Sequence, residues 1–281
     1  MITAELSAWL NAAQTAARRA AAVLESWRFR FNVREKGRAD LVTDADLASQ
    51  QAVRDELLGR FPDHGFLGEE GEVGAASRAA PNGPARLAGP TDRPPTWIVD
   101  PLDGTTNYVH DCPAYCVSIG LEVNGELVVG AVYDPRQDEM FAGASGLGAT
   151  LNGQPLKSSS TAELENALLA TGFPADLRGH ERQLDWFRYF SLRARSVRRT
   201  GSTALNLAYV AAGRFDGYWG FSNNPWDVAG AVVLIREAGG VVTGMDGGAY
   251  DHHGGECLAS NGLLHPALVA AMRDGPGRRS L

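Results

Sequence analysis

The segment Trp97-Ile98-Val99-Asp100-Pro101-Leu102-Asp103-Gly104-Thr105-Thr106-Asn107 concentrates the chemistry of this chain. An apolar strand ends in Asp100, Pro101 stiffens the turn, and Asp103 follows, so two carboxylates can converge on one point. Hard oxygen ligands set this close suit Mg²⁺, which takes carboxylates together with substrate phosphate oxygens. Gly104, Thr105 and Thr106 then open a helix and would present unpaired backbone N–H groups to an anion, with the helix dipole adding to the attraction. A metal site beside a phosphate seat points to phosphoryl transfer. The Asp-x-x-Asp pattern alone also fits an ordinary turn whose Asp accepts backbone hydrogen bonds. The full segment is far more specific.

Other acidic and polar blocks stand in order around it. Lys36-Gly37-Arg38-Ala39-Asp40-Leu41-Val42-Thr43-Asp44-Ala45-Asp46 lies upstream, followed by Phe66-Leu67-Gly68-Glu69-Glu70. Near the C-terminus come Pro225-Trp226-Asp227-Val228-Ala229-Gly230 and Arg236-Glu237-Ala238-Gly239-Gly240. Together with the central segment these blocks resemble, in identity, order and spacing, the signature of the inositol monophosphatase family of Mg²⁺-dependent, Li⁺-sensitive phosphatases. The likeness covers roughly residues 35 to 270, and independent motifs in order multiply their specificity.

The resemblance implies roles for named residues. Glu70, Asp100 and the Leu102 carbonyl would hold one Mg²⁺. Asp100, Asp103 and Asp227 would hold a second, and a third, weaker ion would sit near Glu70. Gly104, Thr105 and Thr106 would seat the phosphate. The Thr105 hydroxyl, oriented by Asp46, would help activate water, although both residues also suit helix capping. Lys36 would lie near the phosphate; read without that context, it is a solvated lysine in a polar loop. Gly201, Ser202 and Thr203 would face the sugar part of the substrate, or Ser202 simply caps a helix. His110 reads as structural, because Mg²⁺ prefers oxygen. His252-His253 reads as part of an exposed turn.

One departure stands out. Family members that act on inositol 1-phosphate carry a polyol-binding Glu seven residues before the Trp-Asp aspartate, and here that place is Gly220. A missing partner for a sugar hydroxyl costs specificity while leaving the metal chemistry intact. The expected activity is hydrolysis of a small polyol or sugar phosphate, broad in scope. Other readings are a relative acting on histidinol phosphate, fructose bisphosphate or a nucleotide 3′-phosphate, and a non-catalytic regulatory protein on the same fold.

Composition is ordinary for a soluble globular protein. The chain has 281 residues, 44% of them hydrophobic and 21% charged, with a net charge of −7 and a pI near 5.4. No long Lys/Arg block supports nucleic-acid binding. Arg193-Ala194-Arg195 and Arg198-Arg199 read as a solvated face or a subunit contact. No apolar run reaches the ~20 residues that span a bilayer, and no leader pattern opens the chain. Cys112, Cys116 and Cys257 are too few for a disulfide framework and fit a reducing, cytoplasmic setting. A homodimer is expected from the resemblance.

The elements that must position these residues follow from periodicity. Helices are expected over 4–27, 46–60, 181–192, 204–212, 226–238 and 266–272, the fifth closed by Gly239-Gly240. Asn124-Gly125 between two β-rich runs predicts a hairpin over 115–133. Strands are expected at 168–172, 216–219, 241–243 and 257–259. The Pro-rich stretch between Glu70 and Trp97 reads as a long surface loop. Mixed content fits a layered α/β fold. The resemblance sharpens this to an alternating α-β-α-β-α sandwich in a single catalytic domain over 1–281. Its metal and phosphate half would be about 1–155 and its substrate half about 156–281.

Overall fold

The computed structural model describes residues 2–37, 40–71 and 93–276. The stretch read as a Pro-rich surface loop lies mostly at 72–92, outside the described residues. Helix α1 (Ile2–Trp27) leads into a two-stranded ribbon, β1 (Val33–Gly37) and β2 (Asp40–Thr43). Next come α2 (Asp44–Arg60), β3 (Gly65–Gly68), β4 (Thr96–Asp103) and the short α3 (Thr105–Val109). A meander follows: β5 (Cys116–Val123), β6 (Glu126–Asp134), β7 (Glu139–Ala144), β8 (Gly148–Leu151) and β9 (Gln154–Pro155). The C-terminal half runs β10 (Leu168–Thr171), α4 (Arg182–Ser191), β11 (Ser196–Arg198), α5 (Thr203–Ala211), β12 (Gly217–Gly220), α6 (Pro225–Glu237), β13 (Val241–Thr243), β14 (Cys257–Ser260) and α7 (His265–Asp274).

Two sheets organise these elements. One has seven strands in the order β3-β4-β5-β6-β7-β8-β9, with only the β3–β4 pair parallel. The other has five strands in the order β11-β10-β12-β14-β13. Side chains on a strand alternate between faces, and the burial follows that rule. On β4, Trp97 and Val99 enter one core while Ile98 enters another. On β12, Tyr218 and Trp219 divide between the second core and a third.

The first core joins α1 and α2 to the large sheet through an apolar stripe that includes Leu6, Ala13, Ala17, Leu24, Val53 and Leu57. The second fills the space between the sheets with α5 and α6. The third packs α4 and α7 on the outer face of the small sheet, around Trp186, Phe190, Trp219 and Leu268. The layers are therefore helix, sheet, helix, sheet, helix, as expected. Each fully buried large apolar side chain of these cores contributes roughly 1.5–3 kcal/mol.

Glycine sets the depth at which α6 sits. Gly120 on β5 faces Gly130 on β6. A Cβ at Gly120 would lie 2.7 Å from the Ala229 carbonyl carbon, and one at Gly130 would lie 2.2 Å from the Gly230 oxygen. The helix backbone thus rests directly on the sheet, and its N-terminus is held at the end of β4. Its C-terminus closes as anticipated: Gly239 has φ +85°, and the Gly240 N–H bonds to the Ile235 carbonyl at 2.8 Å.

Candidate active site

At the end of β4 the ladder to β5 breaks between Asp100 and Asp103. Pro101 has no N–H to donate, so the strand cannot continue its pairing there. The released turn is pinned from two sides. Leu102 N–H donates to Asp100 Oδ1 at 3.0 Å, and Ser49 Oγ on α2 donates to the Pro101 carbonyl at 2.8 Å. Both carboxylates face a cleft of about 550 Å³ between the halves of the molecule. Glu69, Leu102, Gly104, Thr105, Thr106 and Asp227 line it with them.

Each acid is oriented by its own element. Asp103 Oδ2 accepts from Ser202 Oγ and from the Ala204 N–H, both at 2.6 Å, so the start of α5 grips it. Asp227 sits in the first turn of α6 and accepts the Asn224 N–H through Oδ2 at 2.7 Å, which leaves Oδ1 for the cleft. Burial is the main cause that pushes Asp100 and Asp227 well above the usual carboxylate range, with neighbouring acids adding to it. Asp103 is raised to about 6 mainly by burial. Among the described residues no ion pair neutralises any of these three. A knot of partly desolvated carboxylates with oxygen ligands only, and one backbone carbonyl (Leu102) beside them, is the donor set a hard divalent cation takes.

The two upstream acids, Glu69 and Glu70, occupy different places. Glu69 lines the cleft, and its charge acts on Asp100, Asp103 and Asp227. Glu70 does not line it. Glu70 is docked against α2, where its N–H bonds to Gln50 Oε1 at 3.0 Å and its carbonyl accepts from Gln50 Nε2. Burial above all raises its carboxyl to about 7. Glu69 N–H donates to the Val99 carbonyl at 3.1 Å just past the end of β3, and the Gln50 amide holds the Glu70 backbone on both sides. Lys36 Nζ bridges the two, bonding Glu69 Oε1 at 3.0 Å and Glu70 Oε1. Lys36 does not itself line the cleft.

Asp46 caps α2 and also reaches Thr105. Asp46 Oδ2 accepts the Thr43 N–H at 2.8 Å and the Thr43 hydroxyl at 2.6 Å, capping α2. Its Oδ1 lies 3.2 Å from Thr105 Oγ1, which also reaches the Leu102 carbonyl at 3.1 Å. One hydroxyl proton can satisfy only one acceptor, so the other direction stays open for exchange. Burial dominates in raising Asp46 to about 6. Gly104 takes φ +95° and starts α3, with its missing Cβ only 2.8 Å from the Ala114 carbonyl; a larger residue would shift this turn.

The other side of the cleft sorts the remaining candidates. Gly201 and Thr203 line it, whereas Ser202 is buried and bonds Asp103. Gly220 is buried on β12 and does not line it either. Asn223 covers that place: its Nδ2 donates to the Gly220 carbonyl at 3.1 Å, and its Oδ1 accepts from Tyr218 OH at 2.8 Å. The wall facing the acids is built from Phe173, Gln183, Arg199, Ser222, Asn223 and Asn224. Arg199, read as part of a solvated basic face, brings a cation to the cleft and stacks on Phe173 with 5.3 Å from the guanidinium carbon to the ring centre.

This geometry of acids, helix start and polar wall can be set beside known proteins. The inositol monophosphatase family profile matches residues 5–276. The chain belongs to the inositol monophosphatase family. An inositol-1-monophosphatase of Synechocystis is 41% identical over 276 residues, covering 97% of this chain and 91% of that protein. The Nus factor SuhB of Salmonella typhimurium is 38% identical over 243 residues, covering 85% of each chain. Among solved structures, an inositol monophosphatase from Anabaena superposes with a TM-score of 0.84 at 41% identity, covering 98% of each chain. The family's layered α/β fold is the one described above. Among the described residues, no helix is long and apolar enough to cross a membrane.

Proposed function

We infer that this chain is a phosphatase of small phosphate monoesters and that Glu69, Asp100, Asp103, Asp227 and the Leu102 carbonyl hold its divalent cations, Mg²⁺ in two or three positions. The phosphatase activity follows from family membership. The observation that carries the metal assignment is the convergence of four carboxylates on one cleft, with the pKa values of Asp100, Asp103 and Asp227 raised by burial and neighbouring charge and these three, among the described residues, paired with no cation. When bound, such ions activate water and neutralise charge on the phosphoryl group and the leaving oxygen. Glu69 takes the metal role first expected of Glu70.

The chain's own residues do the positioning. Gly104, Thr105 and Thr106 offer backbone N–H groups to the phosphate at the start of α3. Thr105, oriented by Asp46 at 3.2 Å, can accept a proton from water through its hydroxyl and pass its own to Asp46 Oδ1. Lys36, held by Glu69 and Glu70, keeps a positive charge behind the acids. Ser202 and the Ala204 N–H fix Asp103. Gly201 and Thr203 meet the alcohol part of the ester, and Asn223 supplies the polar contact for which Gly220 has no side chain. Arg199 adds charge complementarity at the cleft.

The alcohol is a polyol or a sugar, bound with low selectivity. The protein works as a homodimer with a single catalytic unit per chain. The test is phosphate release from a panel comprising inositol 1-phosphate, glycerol phosphate, fructose bisphosphate, histidinol phosphate and a nucleotide 3′-phosphate, with Mg²⁺ and with chelator. Release from several esters, abolished by chelator, supports this reading. No release from any of them with Mg²⁺ present would contradict it.

A further inference from the structure

We propose that Glu122, His252 and His253 form a second metal site that takes zinc or a similar divalent first-row transition ion. The turn carrying the two histidines is not simply exposed, as its sequence suggested. His252 is buried, and both rings face Glu122 at the far end of β5. His252 Nε2 lies 2.7 Å from Glu122 Oε2, and His253 Nε2 lies 3.0 Å from the same oxygen. The three ligand atoms fall within 4.8 Å of one another.

Consecutive residues of an extended chain point to opposite sides. Here a tight turn brings both rings to one side. His253 N–H donates to Asp251 Oδ1 at 2.9 Å, and Gly254 N–H donates to the Asp251 carbonyl at 3.0 Å. The ring centres end 4.3 Å apart. Two imidazole nitrogens and one carboxylate oxygen gathered in this way are all atoms that a transition ion can take as ligands. Zinc bonds imidazole nitrogen at roughly 2.0–2.1 Å and carboxylate oxygen at roughly 2.0–2.2 Å, which in a tetrahedron sets ligand atoms roughly 3.3 Å apart. The two Glu122–imidazole distances, 2.7 and 3.0 Å, fall short of that spacing by roughly 0.3–0.6 Å, and an ion among the three atoms would draw the rings off the carboxylate oxygen toward itself.

The ligand types separate this site from the catalytic cleft. Two nitrogens and one oxygen suit zinc, whereas the all-oxygen cleft suits Mg²⁺. The Glu122 and His252 side chains are 14% and 8% exposed, and that of His253 is 50% exposed, so a fourth coordination position opens to solvent. Asp251 adds favourable charge beside His253, while Arg93 opposes it. The site also touches the substrate wall. The Gly255 carbonyl, at the end of the same turn, accepts the Asn223 N–H at 2.9 Å and Asn223 Nδ2 at 3.2 Å. A cation that fixes the turn therefore steadies the residue that covers Gly220.

The experiment is zinc titration of the full chain, with Mg²⁺ saturating, read by calorimetry and by thermal unfolding. Co²⁺ serves as a parallel probe through its visible absorption. His253→Ala removes a ligand at the surface, Glu122→Gln keeps the shape of the buried one, and Asp100→Asn damages only the catalytic cleft. The expected result is one equivalent of zinc bound at micromolar concentration, with a raised melting temperature, in the wild type and in Asp100→Asn. Both effects should disappear in His253→Ala and in Glu122→Gln, and the Co²⁺ complex should show the intense bands of tetrahedral coordination. Zinc uptake that survives both ligand variants, or no micromolar zinc binding by folded wild type, would overturn the proposal.

Discussion

Ser202 donates its hydroxyl to Asp103 Oδ2 at 2.6 Å, joining residues 99 positions apart in the chain. The same oxygen takes the Ala204 N–H, so the start of α5 fixes one carboxylate of the cleft from behind. Groups that orient a metal ligand typically matter about 10–100-fold in metal affinity or activity. Ser202→Ala should therefore raise the Mg²⁺ concentration for half-maximal activity by about that factor. Ser202 also caps α5 through the Leu205 N–H at 3.3 Å, so a stability loss of about 1 kcal/mol should accompany the change. Metal titration of activity beside denaturant unfolding separates the two effects. An unchanged Mg²⁺ requirement would remove Ser202 from the positioning role.

The neighbouring acids Glu69 and Glu70 should behave differently. Glu69 faces the cleft, whereas Glu70 is docked on Gln50 and Lys36. Glu69→Gln should lower kcat by orders of magnitude and weaken metal binding. Glu70→Gln should cost far less activity, because Lys36 keeps its bond to Glu69 at 3.0 Å. Measured kcat and Mg²⁺ dependence of the two variants decide the matter, and the reverse ranking would restore Glu70 as the ligand.

The acids also set a pH dependence. A carboxyl whose pKa is raised on folding binds more protons in the folded than in the unfolded chain, so stability falls as pH rises through the window between the two values. For Asp103 and Asp46 that window runs from the ordinary carboxylate range up to about 6, and for Glu70 up to about 7. Asp100 and Asp227 act in the same sense. Chelator-treated protein should thus melt at a lower temperature at pH ~7.5 than at pH ~5. Added Mg²⁺ should stabilise it more at the higher pH, by roughly 2.7 kcal/mol at a hundredfold excess over Kd. Calorimetric melting at both pH values, with and without Mg²⁺, provides the check. A metal-free melting temperature that climbs across this range would be inconsistent with the buried acids described here.

The fourth expectation concerns Asn223. A Cβ at Gly220 would lie 2.5 Å from Tyr218 OH and 2.7 Å from Asn223 Oδ1, so the amide occupies the space a side chain there would need. Asn223→Ala should raise KM for inositol 1-phosphate and leave glycerol phosphate nearly unchanged, because only inositol 1-phosphate has ring hydroxyls to lose a partner. Gly220→Ala should displace Asn223 and give the same selective loss, with about 1–3 kcal/mol of destabilisation from overpacking. Equal losses for both substrates would mean that Asn223 supports the fold alone.

Much of this site was legible because short motifs dictate local geometry. Asp100-Pro101-Leu102-Asp103-Gly104 encodes a strand end, a proline turn and a left-handed glycine, and the structure follows it residue by residue. Helices with a clear stripe or cap, such as α2, α5 and α6, appeared within two residues of their expected limits. What remained hidden depended on direction and on distant partners. Glu69 and Glu70 are identical in type, and only the tertiary contact of Glu70 with Gln50 on α2 distinguishes their places. The helix cap made by Ser202 was foreseeable, but the bond from Ser202 to Asp103 was not, since it joins residues 99 positions apart. The short strands β1, β2, β7, β8, β9 and β11 lack the length or alternation that marks a strand in isolation. The histidine pair looked like a solvated turn because Glu122 lies 130 residues away from His252.

The central claim is that buried carboxylates around Asp100 bind the cations on which phosphate release depends. Asp100→Asn keeps the shape and the Leu102 N–H contact at Oδ1 while removing the charge. The most direct measurement is phosphate release by wild type and Asp100→Asn across a Mg²⁺ titration, with folding verified by thermal unfolding. Activity reduced by orders of magnitude at every Mg²⁺ concentration, in a protein that melts no lower than metal-free wild type, is the predicted result. Near-wild-type turnover by folded Asp100→Asn would contradict the account.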